Sequence, residues 1–205
     1  MLTGPVTIIN WSYPRTDISR RDIAFQLAFA LQDEIADLES AGARAVQVDE
    51  PALREGLPLS RKRQNAYLSW AVDAFRLATA KAHPSTQIHT HMCYSEFGAI
   101  MDAINALDAD VISIENARSD DATLRELAAF GYSRGVGPGV YDIHSPVVPE
   151  TSFIQKKIQA FLLHLDPRRI WINPDCGLKT RSWDEVIPSL QHMMQAVYKI
   201  RESLE

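Results

Sequence analysis

The chain has 205 residues, 46% of them hydrophobic, which suffices to bury the core of one ordinary domain. Aspartate and glutamate (26) outnumber lysine and arginine (21), and the net charge of -5 speaks against a nucleic-acid partner, because such surfaces concentrate positive charge. The N-terminus lacks a basic segment followed by a long apolar one, and no run of about 18 apolar residues occurs, so the expectation is a soluble, cytoplasmic protein with no membrane partner.

In chain order, short β-branched runs alternate with longer stretches of helical period. The first strand is expected at residues 6–10. A helix follows from about Arg20 to Ala41, with Ile23, Leu27, Leu31, Ile35 and Leu38 on one stripe, Ser19 as N-cap and Gly42 as stop. Next come a strand at Ala45–Asp49 and a helix carrying Leu68, Val72 and Phe75. A strand at Gln87–Met92 precedes a helix with Phe97, Ile100, Met101, Ile104 and Leu107. Strands at 111–115 and 136–141 are followed by a helix with Ile154, Ile158, Phe161 and Leu165. A last strand at 170–173 leads into a helix with Leu190, Met194, Val197 and Ile200. This makes six βα units in one uninterrupted α/β domain, residues 1–205. Periodicity alone allows either an open doubly wound sheet or most of an eight-unit barrel.

The reactive residues cluster at the C-terminal ends of these strands: Trp11, Asp49 with Glu50, His91 with Cys93, Glu115, Asp142 with His144, and Asp175 with Cys176. A barrel brings all such ends around one axis, whereas an open sheet leaves the outer ones apart, so the distribution favours a partial (β/α)8 barrel with six of its eight units. Along Gln87–Met92 the strand period of two puts His89, His91 and Cys93 on one side. Imidazole, thiolate and carboxylate are the donors zinc takes, and His91, Cys93, Glu115 and Cys176 make up a candidate tetrahedral set. The two cysteines are too isolated for a disulfide framework. Spacing leaves a second reading open, in which Glu115 pairs with Arg118 and both cysteines are small hydrophobes.

Four strings carry a resemblance: His89-Thr-His-Met-Cys93, Val46-Gln-Val-Asp-Glu-Pro-Ala-Leu-Arg-Glu-Gly-Leu-Pro58, Gly137-Pro-Gly-Val-Tyr-Asp-Ile-His-Ser-Pro146 and Asn173-Pro-Asp-Cys-Gly-Leu-Lys-Thr-Arg181. Together they resemble cobalamin-independent methionine synthase, over essentially the whole chain. The likeness is to the later part of that family's second, catalytic barrel, from about its third strand onward, with Met1-Leu-Thr-Gly-Pro5 similar to an internal stretch. The resemblance implies zinc on His91, Cys93, Glu115 and Cys176. It also implies homocysteine against Asp49, the folate against Trp11 and Glu55, and a proton donor at His144 with Asp142 behind it. Asn116, Ser119 and Asp175 are expected close by. The implied reaction moves a methyl group from 5-methyltetrahydrofolate polyglutamate to homocysteine. Because the barrel's first two strands have no counterpart here, two alternatives accompany it: a non-catalytic zinc-binding remnant, or one part of a split enzyme whose partner chain supplies the missing strands. A further alternative is a related zinc-dependent alkyl transferase for another thiol.

Overall fold

The computed structural model describes residues 1–93, 98, 100–119 and 121–204. Its five strands follow chain order through the sheet, and the registered pairs are parallel, the α/β class expected. Among the described residues no helix is long and apolar enough to cross a membrane. The chain divides into two compact units, Met1–Met92 with Phe97–Ile112, and Cys93–Glu96 with Ser113–Glu205.

In the first unit the expected strand at 6–10 is instead a helix. Strand β1 is only Leu2–Thr3, and α1 covers Pro5–Asn10. Valine, threonine and isoleucine prefer strands, but Pro5 sits at the start of α1 with φ preset for a helix, and a buried carboxylate described below takes the first free N–H groups. Helix α2 (Arg20–Ser40) begins as anticipated, the Ser19 side chain accepting from the Asp22 N–H, and it ends at Gly42, whose φ of 97° suits glycine. Its innermost residues are Ala24, Ala28, Gln32 and Ile35, while Ile23 and Leu27 flank them. Small alanines let the helix approach closely, so the packing axis lies one residue away from the leucine stripe.

Strand β2 (Ala45–Asp49) pairs with β1 through Leu2↔Val48 and Thr3↔Asp49, and with β3 (Gln87–Met92) through Val46↔Ile88 and Gln47↔His89. A short helix α3 (Ala52–Glu55) and a long α4 (Arg61–Thr79) lie between them. Ile9, Ala24 and Ala74 pack together with Ile23, Phe25, Leu27 and Trp70, a cluster joining α1, α2 and α4. Helix α5 (Met101–Ala106) buries Met101, Ala103 and Ile104; Phe97, expected on its stripe, lies outside the described residues. Strand β4 (Val111–Ile114) spans the division between the units.

The second unit contains α6 (Ala122–Phe130), β5 (Gly135–Pro138), α7 (Thr151–Phe161) and α8 (Trp183–Glu202). Strand β5 is shorter than the 136–141 expected, because Pro138 interrupts the donor pattern. The 170–173 segment forms isolated parallel bridges, Val136↔Ile170 and Gly139↔Asn173, in place of a full strand. Ile154, Ile158, Phe161 and Leu165 are buried as their spacing requires. On α8 the buried methionine is Met193, and Met194 is 41% exposed. That face follows Val186, Ser189, Met193, Val197 and Ile200, one residue off the expected stripe at its start.

Candidate active site

The C-terminal end of β3 delivers His91, which is buried, and the chain continues directly to Cys93. The Cys93 Sγ lies 3.8 Å from the Cys176 Sγ, far beyond a disulfide bond of about 2.05 Å, so the two cysteines are not joined in a disulfide. Two sulfurs bound to one zinc at about 2.3 Å in a tetrahedron stand roughly 3.8 Å apart, so the spacing matches a tetrahedral edge. Ligand atoms of His91, Cys93 and Cys176 all fall within 4.8 Å of one another. Donor chemistry and spacing therefore both fit zinc. Glu115, the expected fourth donor, is outside this group of three; it follows β4 and lines a neighbouring cavity.

That cavity, about 460 Å³, belongs to the second unit and is bordered by Glu115, Asn116, Arg118, Ser119, Asp142, His144 and Asp175. The Asp142 Oδ1 accepts from the His144 backbone N–H at 2.9 Å and lies 2.9 Å from the ring Nδ1. Arg118 Nε sits 3.7 Å from the other Asp142 oxygen, so this arginine is drawn to Asp142. Burial works to raise the Asp142 pKa, but the two hydrogen bonds from His144 and the Arg118 charge outweigh it and hold the carboxyl below the ordinary range. The carboxylate thus engages Nδ1 and leaves Nε2 as the ring atom for proton transfer.

Asp175, next to Cys176, is buried, and its Oδ1 accepts from the backbone N–H groups of Asn116 and Ala117, each at 2.9 Å. Burial raises its pKa, the N–H bonds oppose that, and the charges of Glu115 and Asp142 add to the rise. This clamp explains part of the glycine pattern. A Cβ on Gly139 would overlap the Asp175 side chain and come within 2.6 Å of its Cα, and one on Gly137 would overlap Asn173. Asn116 in turn donates to Asp121 at 2.7 Å, and the Ser119 hydroxyl lies 3.0 Å from Asn116 Oδ1. Tyr141 was not singled out from the sequence. Its hydroxyl is buried with no hydrogen-bond partner among the described residues, and burial pushes its pKa up to about 12.

Asp49 ends β2 half-buried; its Oδ1 is buried without a partner among the described residues, and burial raises its pKa to about 6 against the hydrogen bonds it receives from Gln47 and the His91 backbone. Trp11 and Glu55, expected together from the resemblance, do meet: the indole Nε1 donates to Glu55 Oε2 at 3.3 Å, with the indole 63% exposed. The residue that sequence reasoning undervalued is Glu50. It is fully buried and accepts from Val6 N–H (3.0 Å), Thr7 N–H (2.8 Å) and the Thr7 hydroxyl (2.7 Å). The only sequence signal was an acidic pair at a strand end.

A buried imidazole ending a parallel strand, two facing thiols beside it and a hydrogen-bonded His–Asp pair define an α/β protein with a group of donors of the kind that could hold a metal ion. Residues 1–199 match the family model described as "Cobalamin-independent synthase, Catalytic domain", and the chain belongs to that family. It is 61% identical over 204 residues to a 5-methyltetrahydropteroyltriglutamate–homocysteine methyltransferase from Synechococcus sp. (strain JA-2-3B'a(2-13)), covering 100% of this chain and 27% of the relative. It is 59% identical over 202 residues to the protein of the same name from Trichodesmium erythraeum (strain IMS101), covering 98% and 27%. The chain therefore spans about a quarter of the length of the curated relatives it matches. Among solved structures, a B12-independent methionine synthase from Shewanella sp. W3-18-1 in complex with selenomethionine superposes with a TM-score of 0.83 at 20% identity, covering 99% of this chain and 62% of that one. That likeness speaks to the fold.

Proposed function

We propose that this chain carries the metal- and thiol-binding part of a methyltransferase that moves a methyl group from 5-methyltetrahydrofolate polyglutamate to homocysteine. The observation that carries the reading is the His91, Cys93 and Cys176 group, in a chain about 60% identical to relatives named for that activity. On this reading residues 1–205 belong to one catalytic domain, and Glu115 completes a four-donor zinc site. When bound there, zinc supplies a positive charge that favours the thiolate form of a substrate thiol at neutral pH.

The protein's own residues do the rest. Asp49 offers a buried oxygen without a hydrogen-bond partner among the described residues, suited to an ammonium group, and homocysteine carries one. Trp11 presents an exposed indole face for stacking on a pterin, with Glu55 at its edge for the pterin's N–H donors. In the transfer, the thiolate's electron pair forms the new S–CH3 bond while the N5–CH3 pair stays on nitrogen. An unprotonated nitrogen would leave as a poor anion, so N5 takes a proton, and His144, held through Nδ1 by Asp142, donates it from Nε2. The test is a homocysteine methylation assay on the purified chain, with His144→Gln as comparison. Turnover in the parent and a loss of about 100-fold or more in the variant is the expected result. Turnover unchanged in His144→Gln removes that residue from the mechanism.

A second reading is that catalysis needs a partner chain supplying further barrel strands. It is favoured by the 170–173 segment, where Ile170 and Ile172 are only half-buried while Val111, Ile112, Ile114 and Val136 are fully buried. Strands of parallel sheets are normally covered on both faces. An apolar groove of about 450 Å³ beside this segment, lined by Leu162, Ile172, Met194 and Val197, is a surface such a partner would cover. Zinc bound without turnover, and turnover restored by the remainder of a relative added as a separate chain, would select this reading.

A further inference from the structure

We infer that Glu50 is a positioning residue, a buried carboxylate strut that fixes α1 and thereby sets Trp11 against Glu55 on the pterin-facing wall. The inference rests on the reading of Trp11 and Glu55 as pterin contacts, but its geometry lies within the first unit and stands on its own observations.

Helix α1 has six residues, fewer than the roughly 12 to 15 an isolated helix needs for marginal stability in water, so its position must be imposed from outside. Three layers of hydrogen bonds tie it to the corner after β2. At its start, Glu50 takes the Val6 and Thr7 N–H groups and the Thr7 hydroxyl, which satisfies orphan donors of the first turn. In the middle, Thr7 Oγ1 accepts from the Ala52 N–H at 3.2 Å, and Asn10 Nδ2 donates to the Ala52 carbonyl at 3.3 Å. At its end, Trp11 donates to Glu55. The first layer is buried and the last is exposed, so rigidity originates at Glu50 and reaches the indole through one and a half turns of backbone.

Gly4 supports this order. Its φ and ψ, -73° and 162°, suit any residue, yet a Cβ there would overlap the Glu50 carboxyl group. Glycine is therefore present for the carboxylate's approach and not for backbone freedom. The Gly4 N–H also donates to the Asp49 carbonyl at 2.7 Å, holding the turn before α1 to the strand end. An indole exposed as far as Trp11 gains little from packing, so a stacking platform there depends on what holds its backbone.

The test uses the full chain at pH 8 with nitrogen-15 labelled tryptophan. The Trp11 indole N–H resonance is assigned by Trp11→Phe, and that of Trp183, at the start of α8 in the second unit, serves as internal reference. Glu50→Gln is expected to shift or broaden the Trp11 resonance while leaving that of Trp183 in place, and to raise the Kd for 5-methyltetrahydrofolate triglutamate by ~10-fold, the equivalent of one charge-assisted hydrogen bond. Thr7→Val moves both readouts in the same direction by less, and Thr7→Ser restores them. Thr7→Val decides alone should Glu50→Gln fail to fold. Folded variants with the parent Trp11 resonance and the parent Kd overturn the inference. If the parent chain binds no methyltetrahydrofolate, the proposed function fails while the indole comparison still decides the role of Glu50.

Discussion

Glu50 in the first unit and Asp175 in the second are the same device used for different ends. Each is a buried carboxylate that accepts two consecutive backbone N–H groups, Val6 and Thr7 in one case, Asn116 and Ala117 in the other. Each is approached by a glycine whose Cβ would collide with it, Gly4 and Gly139 respectively. They differ in what they hold. Glu50 anchors a short helix that ends in an exposed aromatic, whereas Asp175 anchors the turn after β4 and is the chain neighbour of the thiol at Cys176. A carboxylate with a long stem reaches across a helix start, and a short one makes its own backbone part of the fit.

The comparison breaks hardest at Asp175. Replacing it by alanine takes the acceptor from the buried Asn116 N–H and the half-buried Ala117 N–H, and a loss of about 3 kcal/mol in urea denaturation is expected. An unchanged midpoint would mean that water replaces the carboxylate without cost. Gly139→Ala comes next. The added methyl meets the Asp175 Cα, so backbone must shift and a cost of about 2 kcal/mol follows. Gly4→Ala meets only side-chain atoms of Glu50, which can retreat, so its stability loss should be smaller while the Trp11 signal still moves. Equal losses at the two glycines would mean that backbone and side-chain contacts yield equally.

The two carboxylates also invite a pH test. Burial raises Glu50 from 4.5 to about 7, against the opposing hydrogen bonds from Thr7 and Val6. Between those values the folded chain holds a proton that the unfolded chain has released, so stability falls as pH rises from about 4.5 to 7 and levels off above. Thermal unfolding of Glu50→Gln should lack this component, and an identical slope in parent and variant would contradict the assignment. The smallest effect is expected at Tyr141→Phe. Removing a buried hydroxyl without a partner among the described residues should change stability by less than about 1 kcal/mol, in the favourable direction.

Much of this was legible in the sequence where one segment carries its own signal. Helix α2 was bounded by Ser19 and Gly42, and the period of two along β3 put His91 and Cys93 on one side. Cys176 could be matched to them because donor chemistry limits the choices to few residues. Elements that depend on distant groups were not legible. Residues 6–10 have strand propensity and became α1 because Glu50, 44 residues from Val6, takes the helix's first N–H groups. The 170–173 run reads as a strand but forms only bridges. The glycines at 4 and 139 carry no signal of their own in the sequence, and their reason lies in carboxylates far along the chain.

The central claim is that His91, Cys93 and Cys176 hold zinc, with Glu115 as a fourth donor. Metal analysis of the purified chain after removal of loosely bound ions tests it most directly. About one equivalent of zinc per chain is expected, falling to near zero in Cys93→Ser and Cys176→Ser and weakened in Glu115→Gln. A parent chain that retains no zinc when supplied with it, or cysteine variants that keep it, would contradict the account.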